Sequence, residues 1–444
     1  MGVIDIHGVS VPEASDALVA YALDEPRPGS ERDTYVVHFV GWVIGRSSKA
    51  VTLEVLNGEK LVRTAPIDRP RDDVVAAYPG VPHVEGCGFQ VLTGLLGLPL
   101  DVVLTLRVAL EDGTRAPLAA VRLAREAIGA GLDPALQPIV VSCLGRTGST
   151  LLMKMLASHP EVVVLRRHPY ESGAARYWVH VLRVLSQPAN WMQSTHPDTF
   201  AEDPWAVGSH PFYDEGVAAT PELDAWIGGT YVSELARFCQ RSIDEWYRRV
   251  ARSQGQEGAR CFAEKHMWPG YGPALTRELY PRAKEIFLVR DFRDIVRSIL
   301  AFDAKRGYRG FRRTSGKTDE QYVRDDLSRA VAGFVQGWKA RAGSSHLVRY
   351  EDMVAKPAET LSGLLGYLEL DAGSKLVEQI VAEASQTDSQ TRGHMTSASL
   401  EQSVGRWREP QDGALNSLCA EVFGDSLELF GYDRSPSPSA RAAS

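Results

Sequence analysis

Short runs in which apolar and polar residues alternate fill the first quarter of the chain: Tyr35 to Val43, Ala50 to Val55, Val102 to Val108 and Pro117 to Leu123. A period of two sends every second side chain to one face of a strand, so these runs predict an antiparallel, all-β sandwich. Asn57-Gly58 and Asp112-Gly113 fall between runs, where hairpins need residues tolerant of positive φ. The small-residue stretch Gly129-Ala130-Gly131-Leu132-Asp133-Pro134 then marks a boundary, and the period changes. Ile139-Val140-Val141 is an unbroken β-branched run, as in a strand buried on both faces, and Leu151 to Ala157 after it has helical residues. The same succession recurs at Glu285 to Arg290 with a helix through Ile295, Val296, Ile299 and Leu300, and at Ser345 to Tyr350 with a helix near 357–368. The predicted class is α/β, a parallel sheet flanked by helices, preceded by the β-sandwich. The domains expected are 1–130 and 136–433, with 434–444 too polar to bury and read as a disordered tail.

Composition narrows the function classes. At 444 residues, 44% hydrophobic, with a formal charge of -7, the chain has material for two cores and no global basic surface, so a nucleic-acid partner is not expected. No apolar run approaches the roughly 20 residues of a membrane span. The amino terminus lacks a cationic and apolar leader, and Ile6 stands where a myristoylation signal has Ser or Thr. Five cysteines without a CxxC pair offer neither a zinc site nor a disulfide framework. A cytoplasmic protein needing no metal is the expectation.

Gly145-Arg146-Thr147-Gly148-Ser149-Thr150 joins the Ile139 strand to the next helix. There, backbone N–H groups and the helix N-terminus converge on a volume suited to phosphate, the glycines permit the tight turn, and the two hydroxyls cap the helix or donate to oxyanions. A triphosphate loop would end Gly-Lys-Ser/Thr; here Gly148 meets Ser149 directly and the cation sits earlier, at Arg146.

This loop, together with Phe287 to Ser298, Leu347 to Met353 and Val404-Gly405-Arg406-Trp407, resembles the PAPS-dependent sulfotransferase family, PAPS being 3′-phosphoadenosine 5′-phosphosulfate. The resemblance spans Pro138 to Gly431, and is nearest to the bacterial branch with Arg in the loop. It implies a P-loop-like fold in which Gly145 to Thr150 hold the 5′ phosphosulfate, Arg290 and Ser298 the 3′ phosphate, and Arg406 and Trp407 close over the nucleotide. Two departures stand out: Phe292 where the family commonly has proline, and Arg146 where many members carry lysine, which limits proton donation to the leaving group because arginine stays protonated.

Sulfuryl transfer to a hydroxyl needs a base and cations but no metal. Candidate bases are His168, Glu171, His266 and His394; His266 is favoured, with Glu171 second, and Lys265 is read as a sulfate-contacting cation. Asp291 and Asp294 are read as helix caps or partners of nearby arginines. Lys305 to Arg313 clusters cations with glycines and is read as a lid or a solvated loop. Tyr170, Tyr177, Trp178, Trp191, Trp205, Phe212 and Tyr213 fall where an acceptor pocket would be built. The acceptor expected is a carbohydrate or glycoconjugate hydroxyl, by analogy with accessory sandwiches of glycan-modifying enzymes. The rival readings are a P-loop kinase or nucleotidase, and a noncatalytic glycan-binding protein.

Overall fold

The computed structural model describes residues 2–12, 15–129, 131–186, 226–267, 270–311, 313, 316–386, 389–409 and 413–435. The aromatic residues Trp191, Trp205, Phe212 and Tyr213, and most of the expected tail, lie outside the described residues. By internal contacts the chain forms two compact units, Met1–Leu132 with Trp178–Gln240, and Asp133–Tyr177 with Arg241–Ser444. The first border falls between Leu132 and Asp133, and Trp178–Gln240 joins the first unit, both of its borders falling inside helices.

Among the described residues the first unit carries nine strands: β1 (Ile4–Ser10), β2 (Leu18–Glu25), β3 (Glu31–Arg32), β4 (Val36–Gly45), β5 (Ala50–Asn57), β6 (Lys60–Pro66), β7 (Gly88–Gly94), β8 (Asp101–Leu110) and β9 (Arg115–Arg125), with the short helix α1 (Asp72–Ala77) between β6 and β7. They form two antiparallel sheets, ordered β3-β1-β9-β8-β5-β6 and β2-β4-β7. The alternating residues do what their period dictates. Leu104, Leu106 and Val108 of β8 and Leu53 and Val55 of β5 enter one apolar core with Val37, Phe39 and Val43 of β4. The β5–β6 and β8–β9 hairpins turn at Gly58 (φ 57°) and Gly113 (φ 87°), as the Asn-Gly and Asp-Gly pairs predict.

The second unit is built on five parallel strands, β10 (Gln137–Cys143), β11 (Val162–Val163), β12 (Cys261–Met267), β13 (Lys284–Val289) and β14 (Ser345–Arg349), ordered β11-β12-β10-β13-β14. β10 is buried along nearly its whole length, which explains its unbroken apolar run. Ile139, Val141, Ile286 and Leu288 pack against α2 (Ser149–Ser158) and the later helices α9 (Pro357–Leu368) and α10 (Ser374–Ser385). Phe287 and Val289 face the opposite way, towards α6 (Phe292–Arg306), α7 (Ser328–Arg341) and α12 (Gly413–Leu429). Helices therefore cover both faces, and the strand ends that open towards the loops all lie on one side. Other described α-helices include α3 (Ala174–Leu185), α4 (Val232–Ser253), α5 (Gly272–Leu279), α8 (Tyr350–Ala355) and α11 (Ser389–His394). No described helix is long and apolar enough to cross a membrane.

Candidate functional site

The loop between β10 and α2 is set by two close approaches. Gly148 caps α2 at φ 86° and ψ 13°, and a β-carbon there would stand 2.2 Å from the Tyr350 ring. At Gly145 a β-carbon would stand 2.5 Å from the ring of Phe311. Both positions exclude larger side chains, and Gly148 also needs the left-handed region. Arg146 occupies that region too, at φ 65°, which costs a non-glycine residue roughly 1–2 kcal/mol. Thr147 Oγ1 donates to the Leu144 carbonyl (2.9 Å), locking the turn from inside. No side chain caps α2, and no hydrogen bond among the described residues involves the N–H groups of Gly148, Ser149 or Thr150, so these donors are available to a ligand.

Four guanidinium groups surround this turn. Arg146 Nε donates to Ser298 Oγ (3.0 Å), its Nη2 to the His394 carbonyl (2.9 Å), and the group lies 4.4 Å from the Phe302 ring centre. Arg290, at the end of β13, donates through Nη1 to the Arg146 carbonyl (3.0 Å) and through Nη2 to the Ser403 carbonyl, and stacks 4.7 Å from the Tyr350 ring centre. Its Nε is buried without a partner, on a residue only 4% exposed. Arg406 donates to Thr396 Oγ1 (3.3 Å), and Thr396 Oγ1 lies 3.3 Å from Ser298 Oγ. Among the described residues no carboxylate forms an ion pair with Arg146, Arg290, Arg306 or Arg406, whereas Arg293, Arg313 and Arg341 of the same unit are each ion-paired. Burial first, and then the charges of Arg290, Arg306 and Arg406, pull Arg146 down to about 10. A polyanion is the counterpart that such a cluster lacks.

A second group lies at the ends of β11 and β12. Lys265 is buried and ion-paired with Glu171, whose side chain is 30% exposed. His266, the next residue along β12, points to the other face of the sheet, where burial and then Arg176 depress it to about 3. Its neighbour there, Glu264, accepts the N–H groups of Ala175 and Arg176 at 2.9 Å each and the Tyr247 hydroxyl, anchoring the start of α3. Burial raises Glu264 above the usual carboxylate range. His168 stands edge-on to His394, ring centres 4.8 Å apart, and burial, then Arg146, Arg306, His168 and Lys265, hold His394 at about 4.

The segment around Gly405 covers the same end of the sheet. Trp407, 2% exposed, lies under the Arg293 guanidinium at 3.4 Å, and the Tyr350 hydroxyl bonds Ser403 Oγ at 2.7 Å. No group of His, Cys, Asp or Glu among the described residues is arranged to hold a metal ion.

A model of the sulfotransferase family matches residues 138–374, just over half of the chain. The chain belongs to the sulfotransferase family. Among solved structures, the sulfotransferase resembles the sulfotransferase domain from the curacin biosynthetic pathway at 16% identity, over 68% of this chain and 99% of that one, with a TM-score of 0.40. The sulfotransferase domain from the Synechococcus PCC 7002 olefin synthase aligns at 18% identity over 68% and 97%, with a TM-score of 0.36. A mouse sulfotransferase complexed with PAP, the desulfated nucleotide, aligns at 11% identity over 67% and 87%, with a TM-score of 0.36. No curated protein matches the sequence.

Of the residues singled out from the sequence, the structure gathers Gly145 to Thr150, Arg290, Ser298 and Arg406 around one volume, with Lys265 and Glu171 paired at the neighbouring strand end. It separates His266 from Lys265, because adjacent residues of a strand face opposite ways. Asp291 caps α6 and pairs with Arg293, as expected, whereas Asp294 does neither. Of the expected acceptor aromatics, Tyr177 is exposed and Trp178 packs edge-on to Phe238. Sequence reasoning missed Phe302 and included Phe311 and Tyr350 only within longer segments; the roles of all three are contacts with residues far away in the chain.

Proposed function

We propose that this sulfotransferase moves a sulfuryl group from PAPS to an acceptor hydroxyl, and the observation that carries the reading is the cluster of Arg146, Arg290, Arg306 and Arg406, none ion-paired among the described residues, beside the N-terminal amides of α2. When bound, PAPS supplies an activated sulfuryl group on a 5′ phosphate. Arg290 and Ser298 are the residues that would hold the 3′ phosphate, and Arg146 with the amides of Gly148, Ser149 and Thr150 the 5′ end. The partnerless Nε of Arg290 supports that assignment. A triphosphate reading lacks its loop lysine.

For the proton of the acceptor we propose Glu171 over His266. Glu171 is partly exposed beside the Lys265 ammonium, and that cation turning to the sulfuryl oxygens would free the carboxylate to accept a proton. His266 is 3% exposed and faces Glu264. Arg146 and Lys265 stabilise the charge that develops on the sulfuryl oxygens and the departing phosphate. Glu171→Gln is expected to lower kcat by about 10²-fold or more while PAP binding persists; unchanged kcat would exclude Glu171.

A carbohydrate or glycoconjugate is the acceptor class we propose, on the analogy drawn from the all-β amino-terminal unit, and a cytoplasmic location is in keeping with five unpaired cysteines. Screening glycans and small alcohols with labelled PAPS tests the acceptor: a labelled alcohol with no labelled glycan would contradict it.

A further inference from the structure

Asp294 lies three residues into α6, and its side chain neither caps the helix nor pairs with an arginine at ion-pair distance among the described residues. The capping work belongs to Asp291, which accepts the Arg293 N–H at 3.0 Å and grips its guanidinium. Asp294 is 1% exposed, and its two oxygens are spent elsewhere: Oδ2 accepts the N–H of Gly405 at 2.7 Å and Oδ1 the N–H of Trp407 at 3.0 Å. Those two amides bracket Arg406, so one carboxylate fixes the backbone on either side of it. Gly405 sits at φ 72°, in the left-handed region that favours glycine. One helical turn beyond Asp294 is Ser298, so a segment docked at the carboxylate is held beside the hydroxyl that faces Arg146. A buried carboxylate is costly unless its bonds are made, and amide bonds to a charged oxygen are about twice as strong as neutral ones.

We propose that Asp294 is a positioning residue: it docks the segment 403–407 and thereby sets the Arg406 guanidinium for nucleotide binding. The proposal rests on the PAPS reading of the site, and its test separates the two. Asp294→Asn in the full chain keeps the shape but turns one acceptor oxygen into a donor facing an amide. Calorimetry with PAP is expected to show Kd raised about ten-fold, the loss of roughly one good hydrogen bond, with KM for PAPS following and kcat kept within about two-fold. Amide hydrogen exchange at Gly405 to Trp407 in the nucleotide-free protein is expected to quicken by a similar factor. Wild-type PAP affinity and wild-type exchange in the variant would overturn the proposal while leaving the PAPS reading intact. A wild-type protein that ignores PAP would overturn that reading and the nucleotide role together. Should Asp294→Asn not fold, Tyr350→Phe removes another tether of the segment, the hydroxyl bond to Ser403, and keeps the Arg290 bond to the Ser403 carbonyl: faster exchange with weaker PAP binding supports the proposal, and faster exchange with wild-type PAP affinity overturns it.

Discussion

Replacing Gly148 by alanine tests whether the phosphate loop is as tightly built as its surroundings suggest, and Gly307 supplies the control. Both are left-handed, at φ 86° and 73°, and both lie in the second unit. A β-carbon at Gly307 meets nothing within 4 Å, whereas one at Gly148 meets Cδ2 of Tyr350 at 2.2 Å and Cε2 at 2.4 Å. The Tyr350 ring cannot swing away cheaply, being fixed by its bond to Ser403 and by the Arg290 guanidinium. Gly307→Ala should therefore lose only the left-handed term, about 1–2 kcal/mol, and Gly148→Ala that term plus an overpacking cost of about 1–3 kcal/mol, or roughly 2–5 kcal/mol in all. Urea unfolding at a common m-value measures both. If Gly148→Ala is no more destabilising than Gly307→Ala, the close packing argued for the loop is wrong.

Ser298→Ala should weaken PAP binding about ten-fold by calorimetry, since it removes a phosphate donor and leaves the Arg146 Nε–H without its acceptor; undiminished affinity would remove Ser298 from the site. The depressed His266 makes a pH prediction. The unfolded chain takes up a proton near 6.5 while the folded chain resists it down to about 3, so the stability from neutral His266 is full above roughly 6.5 and is lost as pH falls towards 3. Its share is about 1.4 kcal/mol per pH unit in that window. His266→Gln should flatten the acid limb of a plot of unfolding free energy against pH; an unaltered slope would contradict the burial argument.

The strands and hairpins of the first unit were legible because each depends on residues adjacent in the chain: β8 alternates, and Asn-Gly and Asp-Gly turn where they stand. The parallel sheet was legible from continuous apolar runs, and the residues proposed for the nucleotide were singled out from motifs on three strand ends. Other features depend on contacts the sequence does not order. Phe311 reaches Gly145 and Tyr350 reaches Gly148 across more than 150 residues, and no period announces them. Asp294 was read with Asp291 as a cap or an arginine partner, since the two share composition and place; a cap needs the N-cap position, which Asp291 holds, and Asp294 instead accepts the amides of Gly405 and Trp407. The separation of His266 from Lys265 was available in principle, because a strand through Cys261 to Met267 sends neighbouring side chains to opposite faces.

The central claim, that the arginine-ringed loop grips an adenosine bisphosphate, is tested most directly by titrating the protein with PAP and with magnesium-ATP in a calorimeter, alongside Arg290→Ala. The account predicts that PAP binds, that magnesium-ATP does not displace it, and that the substitution weakens PAP at least about ten-fold. Preference for magnesium-ATP, or unchanged PAP affinity without the Arg290 guanidinium, would contradict it.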